Sequence, residues 1–265
     1  MDPAALESAN LAVGNSPGAA AIEWALGAGT LRLDTVAVIA VGGRADIQID
    51  GRSEGPFAPI EASRGSLLSV TPNPGWRFAY VAVRGGIDVP ELLGSRSTYL
   101  PGGFGGHEGR RLKTGDRLAF GSQGSGVGPA TAMAVPLDDD PPAIVDLRVT
   151  RGPQWFRFDE AARTAFFAGV YRVTPASDRM GYRLSGMPIP PRETATLPSE
   201  AACPGAVQIP DDGQPIVLMP DGPTVGGYPK LAVVARDDLR LLAQRPPGSS
   251  VRFVEVGLEE LRVGR

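Results

Sequence analysis

The chain has 265 residues, a formal net charge of -3 and 21% charged residues, so there is no electrostatic case for binding nucleic acid or an anionic membrane. One cysteine, Cys203, excludes an intrachain disulfide and a multi-thiolate zinc site, and one histidine, His107, excludes the two-histidine metal motifs. No apolar run approaches the ~20 residues that span a bilayer, and the start MDPAALESANLAVGN lacks a basic segment ahead of an apolar one. A reduced, soluble, cytoplasmic-type chain without a metal site is expected.

Thirty-five glycines and 26 prolines leave little room for long helices. In chain order, the apolar spacing predicts helices at about 3–12 and 18–26. The β-rich runs TVAVIAV (35–41), DIQID (46–50), WRFAYVAV (76–83) and DRLAF (116–120) follow. Beyond them come AIVDLRV (143–149), a helix at about 157–167, AVQIP (206–210), PIVLM (215–219) and LAVVA (231–235), then a short helix near 237–243 and VRFVEV (251–256). Asp50-Gly51, Asp212-Gly213 and Asp221-Gly222 are turn signals between strands. Short strands at this spacing predict a barrel or sandwich.

The best boundary is PLDDDPP, 136–142, where three adjacent carboxylates repel and prolines resist helix and central strand. It separates an N-terminal β-barrel domain, 1–135, from a C-terminal one, 143–265, with 136–142 as linker. A faint internal echo crosses it. YVAVRGGIDVPELL followed by KTGDRLAF parallels KLAVVARDDLRLLA followed by PPGSSVRFVEV. The first copy is longer, and its surplus coincides with 94–112.

That surplus holds the stretch GGFGGHEGRRLKTGDRL, 102–118. It fits neither the phosphate-loop signature, since no glycine precedes Lys113, nor a G-x-G-x-x-G register. Backbone free to adopt φ > 0 can instead turn successive N–H groups inward as an anion nest. Arg96, Gly102, Gly103, Gly105, Gly106 and Arg110 are the candidate anion or substrate contacts, against a purely structural loop. His107 is a poor catalytic base inside such a loop, and no G-x-S-x-G elbow occurs, so triad hydrolases are set aside. A second loop, SDRMGYRL (177–184), crowds Asp178, Arg179, Tyr182 and Arg183 around Gly181. An acid beside two guanidiniums suits positioning better than proton transfer, against a surface salt-bridge cluster. A third, TVGGYPKLAVVA (224–235), sets Lys230 at the mouth of a buried strand beside Gly226 and Gly227. There it is an anion contact or an edge lysine guarding against aggregation. Asp178, Arg179, Tyr182 and Lys230 are the candidate catalytic residues, with Arg183, Gly226 and Gly227 as binding residues. These loops are expected to converge.

ANLAVGN (9–15), YVAVRGGIDVPELLGSRSTYLPGGFGGHEGRRLKTGD (80–116), SDRMGYRLSG (177–186), PGAVQIPDDGQPIVLM (204–219) and VGGYPKLAVVA (225–235) are collinear motifs. Through them the chain resembles the biotin-dependent carboxyltransferase/allophanate hydrolase subunit 2 family, which includes the C component of 5-oxoprolinase, the antagonist of the Kip kinase inhibitor, and the carboxyltransferase half of urea carboxylase. The resemblance implies a mainly β protein of two tandem cyclophilin-like β-barrel domains with a few short helices. It also implies a subunit 1/B-type partner. For 5-oxoprolinase it implies ATP-driven opening of 5-oxoproline to glutamate, with a third, lactam-utilisation subunit taking part. The alternatives are the carboxyltransferase half of a biotin-dependent urea or amide carboxylase, or a non-catalytic antagonist of a kinase-inhibitor-like partner.

The chain departs from the family in three places. It starts at the Met-Asp of a G-x-M-D pattern, where relatives run further upstream through Q-D-x-G-R. Either the start is placed too late, or the chain lacks a first strand of the first barrel, in which case an exposed sheet edge results. His107-Glu108 replaces a more arginine-rich run. Met133 lies in TAMAV, not in the Ala-Met-Lys-Met biotinyl site, so no covalent biotin is expected on this chain, and ATP is expected to be shared with partner subunits.

Overall fold

The computed structural model describes residues 1–121, 141–192 and 197–261. The chain forms two compact units, Pro3–Asp139 and Asp140–Arg265, the latter joined by Met1–Asp2. Most of the expected linker, 136–140, and Met133 lie outside the described residues.

The N-terminal unit opens with helix α1 (Pro3–Ala12), whose proline stands at the first helical position, where no intrahelical N–H is needed. Strands β1 (Ile22–Ala25), β2 (Gly29–Arg32), β3 (Ala37–Gly42), β4 (Ala45–Ile49), β5 (Arg52–Glu54), β6 (Ile60–Ala62), β7 (Leu67–Pro72) and β8 (Phe78–Val83) follow. They make two four-stranded sheets, ordered β1-β8-β3-β6 and β2-β7-β4-β5, with every ladder antiparallel. Ile39, Val41 and Val81 of one sheet share a core with Ile47, Ile49, Leu68 and Val70 of the other. Asp50 and Gly51, both at positive φ, make the tight β4–β5 turn that the Asp-Gly pair announces. The ANLAVGN motif ties α1 to β8: Asn15 Nδ2 donates to the Val83 carbonyl, and Asn15 Oδ1 accepts from the Gly85 amide. Helix and sheet are close enough that a Cβ on Gly42 would lie 2.1 Å from the Ala5 carbonyl oxygen.

The C-terminal unit contains β9 (Ile144–Arg151), α2 (Glu160–Ala168), β10 (Tyr171–Val173), β11 (Gly181–Ser185), β12 (Glu200–Ala201), β13 (Ala206–Gln208), β14 (Ile216–Leu218), β15 (Val225–Gly226), β16 (Lys230–Val234), α3 (Leu239–Ala243) and β17 (Ser250–Glu255). Seven strands close into a barrel in the order β10-β11-β14-β13-β16-β9-β17, with β17 pairing back to β10. All its ladders are antiparallel except β17 with β9. Alternation along β9 sends Val145, Leu147 and Val149 inward, as a half-buried strand requires. Phe166 of α2 stacks on Phe253 of β17 at 4.5 Å, and the Phe253 ring meets Tyr171 at 5.5 Å. Burial pushes the Tyr171 hydroxyl up to about 12. Buried Asp238, just before α3, accepts the Arg148 amide and guanidinium at 2.8 and 2.6 Å, pinning α3 to β9.

Four expectations change. Residues 18–26 are not helical: Ile22–Ala25 is β1, paired to β8, and Leu26 and Gly27 at positive φ turn the chain into β2. Trp24 secures that turn by lying over Gly29 and donating Nε1 to the Gly27 carbonyl. Tertiary pairing thus outweighs the helical spacing. The run 116–120 contributes a single bridge, Phe120 to Ile87. The helix expected from 157 starts at Glu160, because Asp159 caps it by accepting the Ala162 amide at 2.8 Å while Trp155–Arg157 form a tighter 3-10 turn. The echo holds for its first strand, β8 beside β16, but not for its second, since 116–120 makes a single bridge where the second copy has β17. Helix α3 in the second copy corresponds in the first to a turn at Leu92–Ser95, with Leu93 at φ 52°.

Removing the aromatic stack should unsettle the barrel selectively. Phe253→Ala is expected to cost about 3–5 kcal/mol, read as a lowered urea midpoint of the C-terminal unit.

Candidate functional site

At one end of the barrel the strands present buried polar groups instead of apolar ones. Lys230 opens β16, Gln208 closes β13 opposite it, and Gln154 follows β9; all three are buried. The backbones press together here. Gly152 sits so close to β16 that a Cβ would lie 2.2 Å from the Lys230 carbonyl oxygen, which holds the Gln154 side chain against the start of β16. Gln154 Oε1 accepts the Lys230 amide at 3.0 Å, and its Nε2 donates to Glu200 Oε1 at 2.6 Å. Lys230 Nζ donates to the same oxygen at 2.5 Å. A buried ammonium without an anion is strongly penalised, so this pairing is required. The Lys230 hydrogen bond, opposed by partial desolvation and helped by Gln154 and the Arg157 charge, holds the Glu200 carboxyl below its ordinary value.

Glu200 comes from outside the barrel, on β12, whose one ladder among the described residues is with β15, where Glu200 faces Gly226. Gly226 in turn lies against Gln208: a Cβ there would meet Gln208 Nε2 at 2.6 Å. The two-residue strands therefore form a small flap over the polar end, and only glycine allows it to come so near. Among the described residues, Gln208 Nε2 and Arg157 Nη1 are buried donors without a hydrogen-bond partner. The Lys230 ammonium and the Gln154 amide bond one carboxylate, the Gln208 amide lies against that carboxylate's strand partner Gly226, and the Arg157 charge acts on it from further off. The cluster suits holding an anionic or carbonyl oxygen.

Lys230 and Gly226 are thus brought together as the sequence suggested, with Gly227 close behind, where a Cβ would lie 3.1 Å from the Leu197 carbonyl oxygen. Asp178 and Arg179 are not brought to them. They precede β11, and β11 runs antiparallel to β14, which is antiparallel to β13, which is antiparallel to β16. The starts of β11 and β16 therefore lie at opposite ends of the barrel, so the expected convergence of these loops does not occur. Asp178 Oδ1 accepts the Met180 and Gly181 amides at 2.8 and 3.2 Å, and Arg179 pairs with Asp221 at 2.6 Å. Tyr182 is a correction: its ring is fully buried in the barrel and its hydroxyl donates to the Ala243 carbonyl at 2.5 Å. Arg183, alternating with Tyr182, faces outward. An apolar cavity beside Val233, Val234 and Leu239 has Arg236 as its one charged neighbour among the described residues.

Four site residues, Gln154, Arg157, Glu200 and Gln208, escaped the sequence reading. Gln208 left one signal, a polar residue inside the apolar run AVQIP, where burial demands a partner.

In the N-terminal unit the glycine-rich stretch folds on itself. Gly103, Gly105 and Gly106 all take positive φ. At Gly105 a Cβ would lie 2.2 Å from the Ser97 carbonyl oxygen, and at Gly109 another would lie 2.0 Å from that of Gly103. Gly102 lies under the Tyr99 and Phe104 rings, which meet at 5.4 Å. Close internal packing explains Gly102, Gly105, Gly106 and Gly109, whereas Gly103 faces open space and answers to its positive φ alone. Arg96 Nη1 donates to the Val89 carbonyl. Arg110 grips Asp116 with two bonds, 2.7 and 2.9 Å, and reaches Glu108 at 2.7 Å. Its guanidinium is a clasp for the loop.

A family model described as carboxyltransferase domain, subdomain A and B, matches residues 1–255. The chain belongs to this carboxyltransferase family. The C component of 5-oxoprolinase from Escherichia coli K12 is 39% identical over 263 residues, 98% of this chain and 83% of that protein. Among solved structures of the family, urea amidolyase from Kluyveromyces lactis superposes with a TM-score of 0.92 at 31% identity, covering 99% of this chain and 17% of that one. Urea carboxylase from Kluyveromyces lactis gives 0.91 at 32% identity, covering 99% of this chain and 25% of that one. No helix among the described residues is long and apolar enough to cross a membrane.

The clasp has a pH signature. The Arg110 guanidinium, then the Lys113 amide, hold the Asp116 carboxyl far below its ordinary value of 3.8. A carboxyl depressed by folding stabilises fully above its unfolded value, and that contribution is lost only as pH falls through the folded one. Hydrogen-exchange protection of residues 102–110 should therefore persist at pH 3.8, whereas Asp116→Asn should lose it at neutral pH.

Proposed function

We propose that this chain is the C-type component of an ATP-dependent 5-oxoprolinase, opening the lactam of 5-oxoproline to glutamate together with a subunit 1/B-type partner and a third, lactam-utilisation subunit. The observation that carries this reading is the 39% identity to the C component of the Escherichia coli 5-oxoprolinase across 98% of the chain and 83% of that protein. The match covers 83% of that relative, so the likeness takes in most of its length and not only a small shared domain. We place the complex in the cytoplasm, with ATP shared between its subunits.

The reaction sets a chemical requirement. An amide nitrogen leaves poorly; phosphorylating the lactam oxygen from ATP, with ADP departing, opens the carbonyl carbon to one water. The C–N bond then breaks to leave an acyl phosphate, and a second water releases phosphate and the carboxylate. A site for such chemistry needs fixed donors for negative oxygens, in surroundings where their field is weakly screened. The Lys230, Gln208 and Arg157 donors meet that description, and their number fits a carboxylate or a phosphoryl group. Lys230 is the charged centre of the set. Asp178 and Arg179, at the other end of the barrel, are proposed to shape a surface and not the reacting centre.

The partner is proposed to engage the N-terminal loop. Leu93, Phe104 and Leu112 expose apolar side chains there, Leu93 to 95%. Exposed leucines and aromatics on a stiff, clasped loop are the kind of anchors that protein interfaces use.

A second reading has its own support: 99% of the chain superposes on the urea carboxylase structure with a TM-score of 0.91. Under it the same donors would hold the carboxylate in transit from a biotin carrier to an amide.

Mixing the chain with its two partner subunits, ATP and 5-oxoproline should release glutamate. Lys230→Ala should lower kcat/KM by about 10²–10³-fold. An assembled complex that makes no ATP-dependent glutamate rejects the first reading, and transfer of labelled carboxylate from biotin to an amide would establish the second. Leu93→Glu should weaken assembly about tenfold or more while leaving the urea midpoint of the isolated chain unchanged, measured by sedimentation and denaturation.

A further inference from the structure

The polar end of the barrel is rich in donors, and its one carboxylate among the described residues is the least firmly held member. Lys230 and Gln154 are built into the barrel wall, the Lys230 side chain being 6% exposed. The Glu200 side chain that pairs with it is 42% exposed. It arrives on a two-residue strand whose ladder involves only another two-residue strand, outside the barrel. Lifting Glu200 away therefore breaks few backbone bonds, whereas moving Lys230 would break β16.

Both built-in donors converge on a single oxygen, Glu200 Oε1. Two further donors at the same end remain unused among the described residues. Gln208 is 4% exposed, its Nε2 lies against Gly226, and Gly226 is the strand partner of Glu200. Arg157 lends its charge to Glu200, yet its buried Nη1 has no acceptor. Buried donors of this kind are costly while unsatisfied. An arrangement that leaves two of them beside a replaceable carboxylate is incomplete as a purely structural ion pair.

We infer that Glu200 is an intramolecular placeholder for the carboxylate of a small ligand, which displaces it and takes the Lys230 and Gln154 donors together with those of Gln208 and Arg157. The flap formed by β12 and β15 then acts as the gate of a carboxylate subsite. An anion always faces Lys230, either the chain's own or the ligand's, so the buried charge is never exposed unpaired. The inference rests on the 5-oxoprolinase reading only in its choice of ligand; the placeholder follows from the donors.

Calorimetric titration of the full-length chain tests it, with 5-oxoproline and with 2-pyrrolidinone, which has the same ring and no carboxylate. Glu200→Ala should bind 5-oxoproline about tenfold or more tightly than the unsubstituted chain, with no gain for 2-pyrrolidinone. Adding Gln208→Leu should take most of that gain away. Glu200→Gln, which keeps the side-chain shape, should show a smaller gain of the same sign, and thermal melts establish that each variant is folded. Equal or weaker binding by both Glu200 variants overturns the placeholder, as does an equal gain for 2-pyrrolidinone. Failure here beside a reconstituted enzyme that makes glutamate puts the substrate carboxylate elsewhere. Success here in a complex without turnover leaves the subsite standing and removes the 5-oxoprolinase reading.

Discussion

A charged ammonium inside the wall of a β-barrel must always face an anion, and the organisation of the C-terminal unit follows from that constraint. Lys230 occupies the first position of β16, flanked by strands that cannot move without opening the barrel. Gln154 is held against it because Gly152 lets the two backbones approach, and Gly226 lets the flap carrying Glu200 close over Gln208. Two glycines without side chains thus make room for three polar ones. The energy to bury those polar groups comes from the apolar interior, where Phe166, Tyr171 and Phe253 pack as one aromatic block.

The N-terminal unit uses related means for a different end. Its glycine-rich loop is drawn tight by Arg110, which spans Glu108 and Asp116 and so closes the loop on itself. A two-pronged guanidinium–carboxylate pair fixes direction as well as distance. The result is a preformed surface that leaves Leu93 and Phe104 outside. Preformed surfaces lose little entropy when a partner binds, which suits the partner contact proposed for this loop.

Much of the fold was legible in the residues. The alternating run AIVDLRV became β9, the Asp50-Gly51 pair became a hairpin turn, and the spacing over 3–12 became α1. The failures share a cause. Residues 18–26 have helical spacing, but β8 offers Ile22–Ala25 a ladder and Gly29 offers Trp24 a seat. Neither offer is visible locally. Two-residue strands such as β12 carry no pattern at all, which is why Glu200 escaped notice. Gln208 was legible as an anomaly, though its partners were not.

By itself the sequence determined the class: mainly β, with one cysteine and so no intrachain disulfide, and with glycine and arginine recurring in several loops. These are properties of composition and short-range pattern, and they do not change with folding. Which loops meet was decided only by the tertiary structure. Strand direction sends the turn at Asp178 and Arg179 to one end of the barrel and Lys230 to the other. Alternation turns Tyr182 into the core and Arg183 out of it. Direction and facing depend on ladders between residues far apart in the chain, and no local run of residues contains them.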